Sequence, residues 1–293
     1  MRHFTVLLSL LSLAATTQPT ILPATRPARP YAIAPDAPLN PVEKLLAKTP
    51  AYLQYRVEFN GIENNSRIPA FLYTPSDKDT KHPAVLLQYG SGGSKNTNYI
   101  VFLGQQFVQQ GFVVLTIDIP NKGERKDKNA PKSLLPDGRF IQTYGDYSRA
   151  TDYLITRRET DPNRLAYVGI SWGAITGIVY VAHDPRIKTM ASIVGGGNFL
   201  GWLPGQISPE ALAAARATDP FYHVAQISPR PLLLLNVIND QLVPRFFAES
   251  LHHAAGPNTT KLWLETDHVF STVDRQALGQ TVIDFIQKNL PNP

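Results

Sequence analysis

Apolar and polar positions along the 293-residue chain follow two different rhythms. Tyr55 to Phe59 and Ile68 to Tyr73 alternate apolar with polar residues around the turn-rich NGIENNS, which predicts an antiparallel hairpin at a sheet edge. Beyond it come continuous apolar runs: AVLLQY (84 to 89), FVVLTI (112 to 117), LAYVG (165 to 169), MASIV (190 to 194), PLLLLNV (231 to 237) and KLWL (261 to 264). Such runs suit strands covered on both faces, as in a parallel sheet between helices. Stretches of helical length separate them, at Asn96 to Gln110, Gly145 to Thr156, Trp172 to Ala182, Arg245 to His253 and Gln276 to Asn289. The alternation predicts an α/β fold with a doubly wound, mostly parallel sheet, right-handed crossovers and an antiparallel N-terminal hairpin. The stretch from about 195 to 228 is too long for a simple connection and predicts a small lid insertion.

The first 50 residues break this pattern. Arg2 and His3 precede an apolar run from Phe4 to Leu13 and then small residues, the layout of an export signal over residues 1–17 with cleavage near Ser12-Leu-Ala14. The run is too short to span a bilayer, so the expected location is periplasmic or secreted, with no stable membrane insertion after cleavage. From 18 to 50 prolines recur with little apolar periodicity, which predicts an extended linker whose one helical possibility is Val42 to Ala47. Residues 51–293 then form a single catalytic domain.

Composition narrows the chemistry. At 43% hydrophobic and 17% charged residues the chain is globular, and its net charge of +5 is spread without a Lys/Arg run, so no nucleic-acid partner is expected. The absence of cysteine excludes disulfides, thiolate metal sites and a cysteine nucleophile. No metal and no cofactor are expected either, because no spaced His/Asp/Glu cluster or dinucleotide fingerprint appears.

One stretch carries a reactive pattern. Gly169-Ile-Ser171-Trp-Gly173 fits G-x-S-x-G, and it stands where the apolar run RLAYVG gives way to the helical WGAITGIVYVAH. A sharp strand-to-helix turn strains the serine backbone and lifts its hydroxyl to the carboxyl end of the sheet. A serine hydroxyl needs a base, and His268 in KLWLETDHVF follows the last strand at that same end. The imidazole needs an acid to fix its tautomer, and Asp240 follows the most apolar strand. Asp267 adjoins the histidine and faces the wrong way, while Asp219 lies in the insertion. A developing oxyanion needs amides in place beforehand, for which the N–H groups of Trp172 and of Ser91, in QYGSGGSKN, are the candidates. That glycine-rich loop lacks the Lys-Ser/Thr order of a phosphate loop.

Together, RIPAFLYTP, YGSGGSK, DIPNKGER, the stretch around Ser171, DPFYHVAQISPRPLLLLNVINDQLVP and TDHVF resemble the α/β-hydrolase superfamily. The closest likeness is to its dienelactone hydrolase-like, acetyl xylan esterase-like and prolyl oligopeptidase-like branch, over roughly residues 52 to 290. The resemblance implies the α/β-hydrolase fold, with Ser171, Asp240 and His268 as nucleophile, acid and base and the Ser91 and Trp172 amides as oxyanion hole. The chain departs from it at Tyr89, where relatives commonly carry histidine, and at Ala174, where a third glycine is common.

These residues point to an exported serine hydrolase cleaving carboxylic esters through an acyl-enzyme, with a small-molecule or carbohydrate ester, such as an acetylated sugar, as substrate. Two alternatives stand beside it: a peptidase of the prolyl oligopeptidase type, and an inactive hydrolase fold used as a secreted binding module. Tyr89, with Phe199 and Trp202 from the insertion, is expected to line the substrate pocket, its aromatics forming an apolar or sugar-stacking wall. Oligomeric state is not legible.

Overall fold

The computed structural model describes residues 28–292 apart from 33, 35, 63–65, 78–79, 128–137 and 203–207. In chain order its strands and helices are β1 (Val42–Lys48), β2 (Tyr52–Asn60), β3 (Arg67–Pro75), β4 (His82–Gln88), α1 (Asn98–Gln109), β5 (Val113–Ile117), α2 (Gly138–Thr156), β6 (Thr160–Ile170) and α3 (Trp172–His183). After these come β7 (Ile187–Ile193), α4 (Pro209–Thr218), β8 (Leu232–Asn239), α5 (Arg245–Ala254), β9 (Thr259–Asp267) and α6 (Arg275–Asn289). They form one nine-stranded sheet in the order β1-β2-β3-β5-β4-β6-β7-β8-β9. The first three strands and the β3–β5 pair are antiparallel, and from β5 to β9 every pairing is parallel. This is the fold the apolar pattern predicts.

The uninterrupted apolar runs occupy the middle of the sheet because helices cover them twice. Helices α1 and α6 pack together on one face, and α2 and α3 pack together on the other with α5 beside them. Val85, Leu86 and Leu87 of β4, Val113, Val114 and Leu115 of β5, and Leu234 and Leu235 of β8 are completely buried. Each such side chain contributes about 1.5–3 kcal/mol relative to an exposed one, which is why alternation vanishes there. Strand β6 starts five residues before its apolar run, in TDPNR, and its register against β4 shifts between His82 and Ala84. Polar residues and Pro162 at a strand end hide it from periodicity.

The N-terminal stretch differs from the expected linker. Residues 1–27, including the export signal, lie outside the described part, but from residue 28 onward the chain is docked on the body. Tyr31 is buried and its hydroxyl donates to the Tyr180 carbonyl. Arg149 of α2, fully buried, donates to the carbonyls of Ala34 at 3.0 Å, Ala37 at 2.7 Å and Asn60 at 3.3 Å while pairing with Asp152. An extended proline-rich backbone leaves carbonyls unpaired, and the five-donor guanidinium collects them. Val42 to Ala47, a helical possibility by sequence, belongs to edge strand β1 because β2 offers it an open ladder, and this tertiary pairing overrides local propensity. Glu43 anchors that strand by accepting from the Tyr153 hydroxyl and pairing with Arg157.

Candidate active site

Ser171 sits at the junction of β6 and α3 with φ 53° and ψ −112°, a conformation an L-residue holds only when its surroundings enforce it. Its amide donates to the Ile193 carbonyl, and the Gly173 amide donates to the Tyr89 carbonyl, pinning the turn to β7 and to the end of β4. Both glycines of the motif are required by space. A Cβ at Gly169 would lie 2.3 Å from the Gly173 carbonyl oxygen, and one at Gly173 would lie 2.7 Å from that of Gln88.

His268 follows β9 and its Nε2 lies 3.0 Å from Ser171 Oγ. Its Nδ1 faces the Asp240 carboxylate at 2.7 and 2.9 Å. That carboxylate, just past β8, also accepts from the amides of Leu242 and Val243. Burial by itself would raise the Asp240 carboxyl, but the hydrogen bonds from His268 and the two amides outweigh it and hold the group below its ordinary value. Asp240 therefore stays an acceptor, which leaves Nδ1 as the donor and Nε2 free to accept the serine proton. Asp267 is engaged elsewhere, accepting from the amide and hydroxyl of Ser271, and Asp219 accepts from the amides of Asn198, Phe199 and Phe221 within the insertion.

The loop after β4 lies against the serine, since a Cβ at Gly90 would stand 3.3 Å from that of Ser171. The amides of Ser91 and Trp172 make no hydrogen bond among the described residues and so remain free to donate. Three side chains that sequence reasoning did not single out hold this loop. The Tyr99 hydroxyl of α1 accepts from the Gly90 amide. Asp118, at the end of β5 and fully buried, accepts from the Lys95 amide at 3.0 Å and the Glu124 amide at 2.9 Å, tying the loops after β4 and β5 together. Lys95 Nζ, also buried, completes the clamp at 2.5 Å from Asp118 and 2.6 Å from Glu124. Their sequence signals were the aspartate closing an apolar strand, a position shared with Asp240, and the stretches YGSGGSK and DIPNKGER that carry the resemblance.

A cavity of about 420 Å³ opens on Ser171 and His268. It lies between α1 and α6, and none of the described residues of the insertion lines it, which corrects the expected pocket wall. Tyr89 is buried beneath the site, where its hydroxyl accepts from the Ile119 amide and its ring never reaches the cavity. Phe199 packs on Phe247 of α5, ring centres 4.9 Å apart. Trp202 ends the short 3-10 turn Leu200–Trp202, and its side chain lies outside the described part. The Trp172 ring is also off the cavity, tilted against Phe140 of α2 at 4.6 Å. Among the described residues no group of three or more His, Asp or Glu stands ready to hold a metal ion, and no helix is long and apolar enough to cross a membrane.

The sequence model of the dienelactone hydrolase family matches residues 68–274, most of the chain and all of the site above. The chain belongs to this hydrolase family. Among curated relatives, it is 25% identical over 186 residues to esterase YjfP of Escherichia coli (strain K12), covering 59% of this chain and 74% of the relative. To the putative hydrolase YtaP of Bacillus subtilis (strain 168) it is 24% identical over 220 residues, covering 64% and 69%. Among solved structures, acetyl xylan esterase from Paenibacillus sp. R4 superposes with a TM-score of 0.72 at 18% identity over 87% of this chain and 90% of that one. A cold-adapted esterase from an Arctic intertidal metagenomic library gives 0.65 at 20% identity over 85% and 98%. At these identities the structural likeness speaks for the α/β-hydrolase fold alone.

Proposed function

We propose that this protein is a serine hydrolase that cleaves carboxylic esters through an acyl-enzyme on Ser171. The observation that carries this reading is the unbroken line from Asp240 through both nitrogens of His268 to the Ser171 hydroxyl, spaced at 2.7 and 3.0 Å. The esterase name of the YjfP relative points the same way. His268 Nε2 takes the Ser171 proton as Oγ attacks the ester carbonyl, and the imidazolium is stabilised by Asp240. The oxyanion forms against the amides of Ser91 and Trp172, whose positions are fixed before reaction by the Tyr99 hydrogen bond and the Ser171 turn. Collapse expels the alkoxide, which leaves with the proton from His268. A water then gives its proton to His268 and attacks the acyl carbon; the second collapse releases the carboxylic acid and returns the proton to Ser171.

Replacing Ser171 by alanine is expected to lower p-nitrophenyl ester turnover by about 10⁴-fold or more, leaving only what binding and the oxyanion amides supply. Unchanged turnover would overturn the assignment. Export is part of the same proposal and rests on the charged, apolar and small residues of positions 1–17. Amino-terminal sequencing of the protein recovered outside the cytoplasm should find that segment removed; an intact Met1 there would contradict it.

A further inference from the structure

The cavity on Ser171 is far larger than an acetyl group requires. Its volume of about 420 Å³ falls among pockets that take drug-sized ligands, about 300–1,000 Å³. Its walls are mainly apolar, with Thr97, Asn98, Gln106 and Arg275 as polar exceptions. Helix α1 presents Phe102 and Leu103, α6 presents Leu278 and Val282, and the sheet contributes Ile170 and Ile193. Ile193, at 2% exposure, and Val282, at 1%, are among the buried residues of its lining, and Gly279 faces Gln106 across the helix pair. A Cβ at Gly279 would stand 2.0 Å from Gln106 Oε1, so the glycine leaves room for the α1 side chain where the two helices approach.

An independent observation concerns the mouth. Few large apolar side chains are exposed in the described part, and three of them, Phe102 at 40%, Leu242 at 71% and Val269 at 62%, rim this one cavity. Scattered exposed apolar residues need no explanation, but three converging on the entrance of an apolar cavity mark a surface built to meet an apolar ligand.

Resting on the serine-esterase reading above, we infer that the α1–α6 cavity is an acyl slot, and that the substrates are esters of medium-length apolar carboxylic acids rather than acetyl esters. The order of the two chemical steps decides between the two halves of the ester. The alcohol must depart first and make way for water beside His268, whereas the acyl group stays attached to Ser171 through both steps. A mainly apolar cavity that opens on Ser171 suits the part that stays. Leu278, partly buried on α6, and Phe102, at the rim of α1, set its width.

The test is a series of p-nitrophenyl esters from acetate to palmitate run on the full chain, beside a second series of acetate esters with lengthening alcohols. In the wild-type protein kcat/KM is expected to climb by up to about fourfold per acyl methylene, as burial of each group predicts, and to peak between about six and ten carbons. Alcohol length should have little effect. Leu278→Trp fills the slot and should lower the octanoate-to-acetate ratio of kcat/KM by about tenfold or more, mainly through KM for octanoate. If that variant fails to fold by circular dichroism, Phe102→Ala, which removes a partly exposed wall, should still lower the ratio several-fold. A wild-type optimum at acetate, a ratio unmoved in whichever variant folds, or a dependence on alcohol length instead of acyl length would each overturn the slot. These outcomes are separate from failure of the esterase reading, which shows itself as ester turnover that survives Ser171→Ala.

Discussion

On the α1–α6 flank of Ser171 the chain leaves an apolar space open to its hydroxyl, whereas on the insertion flank polar groups close the structure upon itself. Asp219 accepts three backbone amides and fixes the turn at Asn198, and the neutral His223 donates from Nε2 to the Arg216 carbonyl at the end of α4 while its Nδ1 accepts from His183 Nε2. Asn236 holds the Gly195 carbonyl and faces His252. The insertion is aromatic, as a pocket wall would be, yet Phe199 and Phe221 are used for packing, on Phe247 and Tyr222. Aromatic content alone does not locate a binding surface; what decides is whether neighbouring helices leave a gap facing the reactive group.

The comparison can be broken most sharply at the reacting centre. Asp240→Asn should lower kcat by about 10⁴-fold with the fold intact, since the amide favours the wrong imidazole tautomer; a loss under tenfold would show that Asp240 does not direct His268. On the cavity flank, Lys95→Met leaves Asp118 charged and buried without its partner, and should cost about 3–5 kcal/mol in denaturant unfolding. Because Asp118 also holds the loop bearing Ser91, kcat should fall in protein that remains folded, and an unaffected kcat would detach the clamp from the oxyanion loop.

On the insertion flank, Asp219→Ala leaves three amides without an acceptor and is expected to cost about 2 kcal/mol of stability while changing kcat/KM for p-nitrophenyl esters little. A large activity loss with little change in stability would reverse the roles of the two flanks. The smallest effect at neutral pH concerns the His183–His223 pair. Burial, reinforced at His183 by Arg29 and Arg230 and at His223 by its partner, holds both at about 4. The unfolded chain takes up these protons near pH 6.5, so between about 6.5 and 4 it binds more protons than the folded protein. Stability must therefore fall as the pH is lowered through that window. Protection factors of the α4 amides, which correct for the slower chemical exchange in acid, should fall on acidification, and protection that is flat from pH 7 to 4 would contradict the buried neutral pair.

How much could be read from the sequence depends on the range over which each feature is determined. The Ser171 turn is encoded within a few contiguous residues: an apolar strand, two glycines with no room for a Cβ, and a helix. Asp240 and His268 were legible because a parallel sheet delivers every strand end to the same edge, so position after a strand is already position in space. The docking of residues 28–41 was not legible, because it depends on Arg149 more than a hundred residues away, and a proline-rich stretch looks the same whether free or held. Strand β1 was hidden because VEKLLAK, exposed on both faces, carries no alternation. Tyr89 was misplaced because its ring turns down beneath the loop toward the Ile119 amide, a choice that depends on β5. The cavity was out of reach for the same reason: it is a gap between two helices, set by their packing at Gly279 and Gln106 and by no local pattern.

The proposed chemistry depends on Ser171 being the nucleophile that His268 activates. The most direct measurement is intact-mass analysis after a fluorophosphonate probe, with the adduct mapped by peptide sequencing and Ser171→Ala and His268→Ala treated in parallel. The account predicts a single adduct on Ser171, its disappearance in Ser171→Ala and labelling slowed by orders of magnitude in His268→Ala. A wild-type protein that hydrolyses esters yet takes no label, or carries the label on another serine, would contradict it.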